Sequence, residues 1–266
     1  LWFDRRRVSL PGTETYSTGK YMDTGLKGRT VLITGASRNM GRYAALAFAR
    51  EGANLALCTS TKMDELKQVA AEARALGVAA VARQCDVTDN SAVADFVKEA
   101  HGTFGRIDVA LNLAGYRAER PFLEESLETV RRTIAVNLTG PFHVCRNVIP
   151  LMMERRWGRI INIAGIAPYL GMGAAKAMVK LGIVGFTRGL AREFGEFNIT
   201  ANCMGPGVIA RPPDPRVTEK PLRSSQPIQR KGTPDEAVSL LLYLASDGAG
   251  FITGQSYLMN GGTYFQ

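Results

Sequence analysis

The sequence lacks long hydrophobic runs and has few residues of the types that bind zinc. No apolar stretch reaches the roughly 18 residues that a membrane-spanning helix requires. His101 and His143 are the only histidines, and neither lies at a ligand-like spacing. We therefore expect no membrane contact and no metal site.

Cysteine is scarce as well, and no C-x-x-C pair occurs in the sequence. Three cysteines lie in apolar runs typical of strands and one in a predicted helix, which favours buried thiols over disulfides. Reduced thiols are typical of a reducing compartment, so a cytoplasmic protein is expected. The four residues are Cys58, Cys85, Cys145 and Cys203.

Acidic residues are in deficit, with 24 Asp and Glu against 33 Lys and Arg, which gives a net charge of +9. The basic residues are scattered, apart from Arg5–Arg7, and this pattern argues against nucleic-acid binding. An anionic small molecule, such as a phosphorylated cofactor or an acidic substrate, accounts for the positive charge equally well.

What the chain does contain is a repeated alternation of apolar strands and amphipathic helices. Near-continuous apolar strands are expected where helices cover both faces of a parallel sheet. The alternation predicts one α/β domain over 28–266, a doubly wound parallel sheet (Rossmann fold), after an N-terminal tail over 1–27. Predicted strands are 30–35, 54–58, 79–85, 107–115, 159–165, 199–204 and 254–260, and predicted helices are 41–52, 62–76, 91–104, 126–154, one from about 173, and 234–246.

Prolines modify this pattern in two places. The long helix at 126–154 is predicted to break or bend near Pro141 and Pro150. The segment 205–232 is too rich in proline for a regular strand, and so long an irregular segment in a compact domain is often a lid over a site. A disordered surface loop is the alternative.

The stretch TGASRNMG, residues 34–41, directly follows the first predicted strand. A dinucleotide site requires a tight turn there and a helix N-terminus aimed at the phosphates. Gly35 can supply the turn, and Gly41 allows close packing of the helix start. Asn39 stands where glycine is more common, and asparagine tolerates a left-handed backbone well. The turn therefore indicates a dinucleotide site.

These motifs resemble the short-chain dehydrogenase/reductase family, and most closely its bacterial β-ketoacyl-ACP reductase type. The resemblance covers about 26–266 and implies hydride transfer between a nicotinamide and a small carbonyl or alcohol substrate. The motifs are TGASRNMG (34–41), CDVTD (85–89), NLAG (112–115), VNLTG (136–140), GRIINI (158–163), AAKA (174–177), GPG (205–207) and ITGQSYLMNGG (252–262).

The resemblance also implies which residues would hold the cofactor. They are Asp86 and Val87 at adenine; Asn112, Ala114 and Gly115 at the adenosine ribose and the edge of the fourth strand; Gly35, Ser37, Arg38, Asn39, Met40 and Gly41 at the phosphates; and Pro206 and Gly207 at the nicotinamide.

The choice between NADP(H) and NAD(H) depends on the end of the second strand. NAD-selective sites place a carboxylate there for the ribose 2′-hydroxyl. Thr59 and Ser60 occupy that place, so no carboxylate would repel a 2′-phosphate. Arg38 carries a guanidinium suited to a phosphate. The charges favour NADP(H), with NAD(H) as the alternative.

The catalytic pattern of the resembled family is only half present. That family uses a Ser after strand five, a Tyr four residues before a Lys, and an Asn on the preceding long helix. Asn137 matches the Asn, and Lys176 is assigned to the Lys, which also binds the nicotinamide ribose. The Ser position falls on Gly165 and the Tyr position on Met172, whose thioether cannot donate a proton.

Several substitutes for the missing acid remain open. Tyr169 could approach the nicotinamide if 168–173 folds back as a loop. Tyr116 and Arg117 are lesser candidates, and Lys176 could donate if desolvation lowered its pKa. The interval from Gly165 to Met172 is about half that of the family, and a segment missing before Met172 would also explain this difference. A cofactor-binding protein without turnover, with a regulatory or structural role, is the alternative to an enzyme, and a scaffold for non-redox chemistry is a third hypothesis.

The resemblance also implies a homo-oligomer, a tetramer or a dimer. The predicted helix AAKAMVKLGIVGFTRGLAREF, residues 174–194, is apolar over more than one face. A surface helix normally shows a single apolar stripe, so a second face of this helix is expected to pack against another copy. Burial within its own domain is the alternative.

Overall fold

The computed structural model describes residues 23–117, 120–210 and 225–265. Within these ranges the strands are β1 (Thr30–Thr34), β2 (Asn54–Thr59), β3 (Ala80–Gln84), β4 (Val109–Asn112), β5 (Gly158–Ile163), β6 (Ile199–Pro206) and β7 (Ser256–Met259). The α-helices are α1 (Asn39–Arg50), α2 (Met63–Ala75), α3 (Asn90–Phe104), α4 (Leu127–Ile134), α5 (Gly140–Arg155), α6 (Ala174–Phe194) and α7 (Pro234–Ala245).

The strands form one parallel sheet in the order β3-β2-β1-β4-β5-β6-β7. Successive side chains of a strand point to opposite faces, so Val31 and Ile33 of β1 join a core with α1, α2 and α7. Leu32, between them, joins a second core with α3 and α5. The prediction of a doubly wound parallel sheet is confirmed.

The strand order reverses between β1 and β4, and this reversal positions the site. In open α/β sheets, ligands bind at such a point, outside the carboxyl ends of the strands. Thr34 at the end of β1 is paired with Asn112, and Asn112 is paired with Asn162 near the end of β5. The loops that follow β1, β4 and β5 therefore meet at one edge of the sheet.

The long helix predicted at 126–154 is interrupted near Pro141 but not at Pro150. A π turn over 135–139 separates α4 from α5, and Pro141 lies in the first turn of α5. Proline has no N–H, so Pro141 cannot donate the α-helical bond to the Asn137 carbonyl four residues earlier. The helix continues through Pro150, so the break expected there is absent.

The folded domain begins before residue 28, where the sequence predicted its N-terminal boundary. Leu26 is fully buried in the core, and the Thr24 hydroxyl donates to Glu51 Oε2 at 2.7 Å. Residues 1–22 of the predicted tail lie outside the described residues, as do 211–224 of the predicted lid. The two ends of that segment meet, since the Ala210 N–H donates to the Gly232 carbonyl at 2.8 Å.

The four cysteines are buried and free, as the sequence indicated. In the described parts of the chain, no group of three or more His, Cys, Asp or Glu side chains could hold a metal ion. No helix in the same parts has both the length and the apolar character that crossing a membrane requires.

Candidate functional site

The turn between β1 and α1 has a backbone that only a restricted set of residues allows. Gly35 has a φ of +66°, and a Cβ there would lie 2.8 Å from Ala114 Cα. A Cβ on Gly41 would collide with the Gly35 carbonyl oxygen and lie 2.8 Å from Ala36 Cα. Asn39 has a φ of +48°, the left-handed conformation that asparagine tolerates. The loop after β1 thus lies directly against the loop after β4.

The N-terminus of α1 is open toward this turn. Arg38 is the N-cap residue, but its side chain makes no capping hydrogen bond, and no acidic residue lies in the first turn. The first N–H groups of a helix have no intrahelical partner and carry a partial positive charge. Met40, in the same turn, packs against the core. The backbone of this turn fits a diphosphate, whose oxygens accept hydrogen bonds from such N–H groups.

The end of β2 forms the next part of the site. The Ser37 and Thr59 hydroxyl oxygens lie 3.3 Å apart, and the Ser60 carbonyl accepts a bond from Gln84 Nε2 at 2.9 Å. Neither Thr59 nor Ser60 carries a charge, and the exposed Arg38 follows Ser37 in the sequence. This corner therefore has no carboxylate at the position where one would bind a ribose 2′-hydroxyl.

The residues after β3 are held by hydrogen bonds of their own. Asp86 Oδ1 accepts from the Thr88 N–H and hydroxyl, each at 2.9 Å. The Val87 carbonyl oxygen lies 2.8 Å from Nδ1 of His143 on α5. A Cβ on Gly140 would lie 2.7 Å from Val87 Cγ2, so the start of α5 packs closely on this segment.

A buried polar chain runs beneath the ends of β4 and β5. Asn112 Nδ2 donates to Asn162 Oδ1 at 2.8 Å, and Asn162 Nδ2 donates to the Thr187 hydroxyl of α6 at 2.9 Å. Asn112 Oδ1 is buried and has no hydrogen-bond partner among the described residues. An unsatisfied buried acceptor is costly, and in native proteins such a group often marks a site for water or a ligand.

Asn137, in the π turn, holds the loop after β4 through two hydrogen bonds. Its Nδ2 donates to the Tyr116 carbonyl at 2.9 Å, and its Oδ1 accepts from the Tyr116 N–H at 3.2 Å. Gly115 lies beneath this clamp, because a Cβ there would be 3.3 Å from Asn137 Oδ1. The Asn137 amide thus positions the chain that leaves β4, while π turns of this kind are frequent at functional sites.

The segment between β5 and α6 lacks the family's hydroxyl groups. Gly165 has a φ of +154°, and a Cβ there would meet no atom of the described residues within 4 Å. Met172 precedes Gly173, the N-cap residue of α6, so it lies outside the helix that carries Lys176. The Tyr169 hydroxyl donates to Ser256 Oγ at 3.3 Å, and the Tyr169 ring stacks on Tyr264 with centroids 5.3 Å apart.

Lys176 and Lys180 both lie in the first two turns of α6. Residues four apart share one side of a helix, so this pair, rather than Met172 and Lys176, has the spacing of the family's Tyr and Lys. Lys180 Nζ donates to the Ile163 carbonyl at 2.7 Å, and burial lowers the pKa of Lys180 to about 8. Sequence reasoning missed Lys180, although a second lysine four residues after Lys176 was a visible signal.

The last predicted contact residues follow β6. Pro206 ends this strand and is paired with Met259 of β7. The Gly207 N–H donates to the Met259 carbonyl at 2.8 Å, and a Cβ on Gly207 would lie 2.8 Å from Asn260 Cα. The turn after β6 is therefore fixed against the turn after β7.

The chain matches a family model and several characterised proteins over most of its length. Residues 35–264 match the model described as "Enoyl-(Acyl carrier protein) reductase". The BbsD subunit of (2S)-[(R)-hydroxy(phenyl)methyl]succinyl-CoA dehydrogenase from Thauera aromatica is 37% identical over 90% of this chain and 97% of that protein. The 3-oxoacyl-[acyl-carrier-protein] reductase of Synechocystis is 35% identical over 90% of this chain and 98% of that protein.

Solved structures agree with these matches. A Serratia marcescens short-chain dehydrogenase/reductase mutant superposes with a TM-score of 0.81 at 30% identity, covering 89% of this chain and 98% of that one. NAD⁺-bound xylitol dehydrogenase superposes with a TM-score of 0.82 at 30% identity, covering 89% and 99%. With this sheet and this site, the chain belongs to the short-chain dehydrogenase/reductase family, near its 3-oxoacyl-[acyl-carrier-protein] reductase type.

Proposed function

We propose that this protein is an NADP(H)-dependent oxidoreductase that transfers hydride between the nicotinamide and a small carbonyl or alcohol substrate. The observation that carries the proposal is the uncapped N-terminus of α1, which lies within the Gly35–Gly41 turn. This backbone fits a dinucleotide diphosphate, and the end of β2 offers no carboxylate to oppose a 2′-phosphate.

The cofactor, when bound, supplies or accepts the hydride at its nicotinamide ring. The chain's own residues bind and orient it. The Gly35–Gly41 backbone would donate to the diphosphate, and Arg38 with Ser37 and Ser60 would receive the 2′-phosphate. Asp86 and Val87 would border adenine. The unsatisfied Asn112 Oδ1, with Ala114 and Gly115, supports a ribose site at the end of β4, and Pro206 and Gly207 would flank the nicotinamide.

Binding and turnover test this proposal separately. We expect NADPH to bind the purified protein in a calorimetric titration, and NADH to bind more weakly. Loss of nicotinamide absorbance with a panel of β-ketoesters, 3-oxoacyl thioesters, quinones and simple ketones would then identify a substrate. No heat with either nucleotide at about millimolar concentration, corresponding to roughly −4 kcal/mol, would contradict the proposal. Binding without turnover would favour the non-catalytic alternative.

We also propose that the protein forms a homo-oligomer through α5 and α6. Phe142 on α5 and Met178 and Leu181 on α6 are large apolar side chains that are 45%, 54% and 56% exposed. Exposed large apolar side chains on both helices support an interface with another copy. Light scattering coupled to gel filtration measures the mass directly, and a monomer would contradict this assignment.

A further inference from the structure

Resting on the proposed function, we propose that the substrate is an oxo acid, with a carboxylate beside the carbonyl that accepts the hydride, and that Lys176 and Arg117 bind this carboxylate. Lys180 lies beside them, and together the three side chains form a cation cluster. A neutral ketone or ester of the same size lacks the group that this cluster recognises.

Two members of the cation cluster lie on one side of α6. Lys176 and Lys180 are four residues apart, so their side chains project from the same side of the helix. In the family's spacing the tyrosine precedes the lysine by four residues, so Lys176 takes the place of the tyrosine and Lys180 that of the lysine. A position that is uncharged in the family pattern therefore carries a positive charge in this chain.

The sheet places both lysines at the edge that would bind the cofactor. Lys180 Nζ donates to the carbonyl of Ile163, the last residue of β5, at 2.7 Å. Because α6 joins the parallel neighbours β5 and β6, it runs back along the sheet in the opposite direction. Lys176 precedes Lys180 by about 6 Å of helix, and it therefore lies farther out beyond the strand ends, on the side from which a substrate would approach.

Arg117 brings the third cation from the loop after β4. The N–H and carbonyl of the preceding Tyr116 are hydrogen bonded to the Asn137 amide at 3.2 and 2.9 Å, and this clamp fixes the start of the Arg117 segment. Burial lowers the pKa of Lys180 most, and the charges of Lys176 and Arg117 lower that pKa further. Both cations are therefore within electrostatic range of the Lys180 ammonium group.

The surroundings of Lys180 contain little negative charge. Among the described groups that act on the pKa of Lys180 through their charge, Cys203 is the one that raises it, and none is a carboxylate. In the same part of the chain Lys180 donates to the Ile163 carbonyl alone, although an ammonium group has three N–H donors. Cations held close together repel one another, so an anion between them is stabilised.

A carboxylate suits this cluster in both chemistry and size. Lysine and arginine bind carboxylates through charge-assisted hydrogen bonds. Gly165 follows Ile163 by two residues, and an added Cβ on it would meet no atom of the described residues within 4 Å. The end of β5 therefore has space for a small anionic group next to the lysines.

The 2′-phosphate of the cofactor does not account for these cations. Arg38 and Ser60, which would receive it, belong to the region at the end of β2, and both β1 and β4 lie between β2 and β5. Three strand spacings of about 4.8 Å separate the two places by roughly 14 Å. The cation cluster therefore serves a second anion, and the substrate is the ligand that would bind at this end of the site.

The first experiment measures binding in a complex that cannot react. NADP⁺ has no hydride to donate, so an oxo acid binds beside it without turnover. In calorimetric titrations of the NADP⁺ complex, we compare 2-oxobutanoate and 3-oxobutanoate with their methyl esters. At least one acid should bind about 10- to 100-fold more tightly than its ester, the range expected for hydrogen bonds between charged groups.

Variants then assign the preference to the cation cluster. Lys176→Gln and Arg117→Gln should each remove most of the preference for the acid while NADPH affinity is retained. Lys176→Tyr, which restores the family's tyrosine, should bind acid and ester with similar affinity. Lys67→Gln, on the exposed side of α2, is the matched control and should keep the wild-type preference.

The outcomes separate this inference from the proposed function. Equal affinity for acid and ester, no binding of either acid, or an acid preference that survives in all three cluster variants would overturn the substrate class alone. Reduction of neutral ketones but not of oxo acids by NADPH would do the same and leave the proposed function intact. Absence of NADPH binding by the wild type would instead overturn the proposed function.

Discussion

The β1–α1–β2 region and the β5–α6 region lie at the same edge of the sheet, yet they differ in how closely they keep the family pattern. The first retains Gly35 and Gly41, a left-handed backbone at Asn39, where glycine is more common, and an uncapped helix N-terminus. The second has glycine in place of serine at residue 165, and a lysine pair in place of tyrosine and lysine.

The difference reflects what each region uses to bind. A diphosphate is held mainly by backbone N–H groups, so the first region depends on conformation, and few residues allow it. Proton transfer depends on one side chain at a suitable pKa, and different side chains can meet that requirement. Sequence motifs therefore identify the diphosphate-binding region, whereas the region of proton transfer is identified from contacts in the folded structure.

The largest expected effect is at the backbone of the first region. Gly41→Ala places a Cβ against the Gly35 carbonyl, so the turn must shift. We expect NADPH binding to weaken by roughly 10- to 100-fold, since such overpacking costs about 1–3 kcal/mol. Gly102→Ala on α3, where no atom in the described part of the chain lies within 4 Å of the added Cβ, is the matched control in the same calorimetric titration. Equal affinities would show that the turn is not the binding element.

The next largest effect is expected on the free energy of unfolding, because the buried Lys180 ammonium destabilises the folded protein. Because its pKa is lower in the folded protein than in the unfolded chain, the folded state releases the proton first as the pH rises. The penalty is fully present below about pH 8 and is relieved toward pH 10.5. Lys180→Met should therefore unfold with a free energy about 1–2 kcal/mol larger than the wild type near neutral pH, allowing for partial exposure.

Urea unfolding of both proteins across this pH range measures the difference. The advantage of Lys180→Met should shrink as the pH rises, because the wild type loses the charge that destabilises it. A difference that stays constant with pH would mean that the side chain is fully hydrated in the folded protein.

A smaller effect is expected at Arg38. Arg38→Ala should weaken NADPH binding by about tenfold and leave NADH within about twofold, as loss of one charged hydrogen-bond partner costs about 1.5 kcal/mol. Arg50→Ala, at the other end of α1, is the control. Equal losses for the two nucleotides would refute contact with the 2′-phosphate.

The smallest effect is expected at Tyr169, the phenol that the sequence offered as an acid. Tyr169→Phe removes the hydrogen bond to Ser256 and should lower the free energy of unfolding by about 0.5–1.5 kcal/mol. We expect kcat to change by less than about twofold, because the Tyr169 hydroxyl is engaged with Ser256 of β7. A loss of kcat of about 10²-fold or more, the scale of a lost general acid, would assign the donor role to Tyr169.

Much of the fold could be predicted because its signals are local. Near-continuous apolar runs marked the strands, and α6 begins at Ala174, one residue from its predicted start. The π turn at 135–139 could not be predicted in detail, because it depends on how Asn137 and Gly140 pack against Tyr116 and Val87. The pairing of Asn112 with Asn162 also joins residues 50 apart in the chain.

The amino-acid sequence by itself determined the parallel sheet and the turn over residues 34–41, because periodicity and glycine placement act within a few residues. Only the tertiary structure decided which lysine of α6 reaches the end of β5 and where the Tyr169 hydroxyl points. Both depend on how a helix is set against strands distant in the chain, and burial of the Lys180 ammonium exists only once those elements have packed.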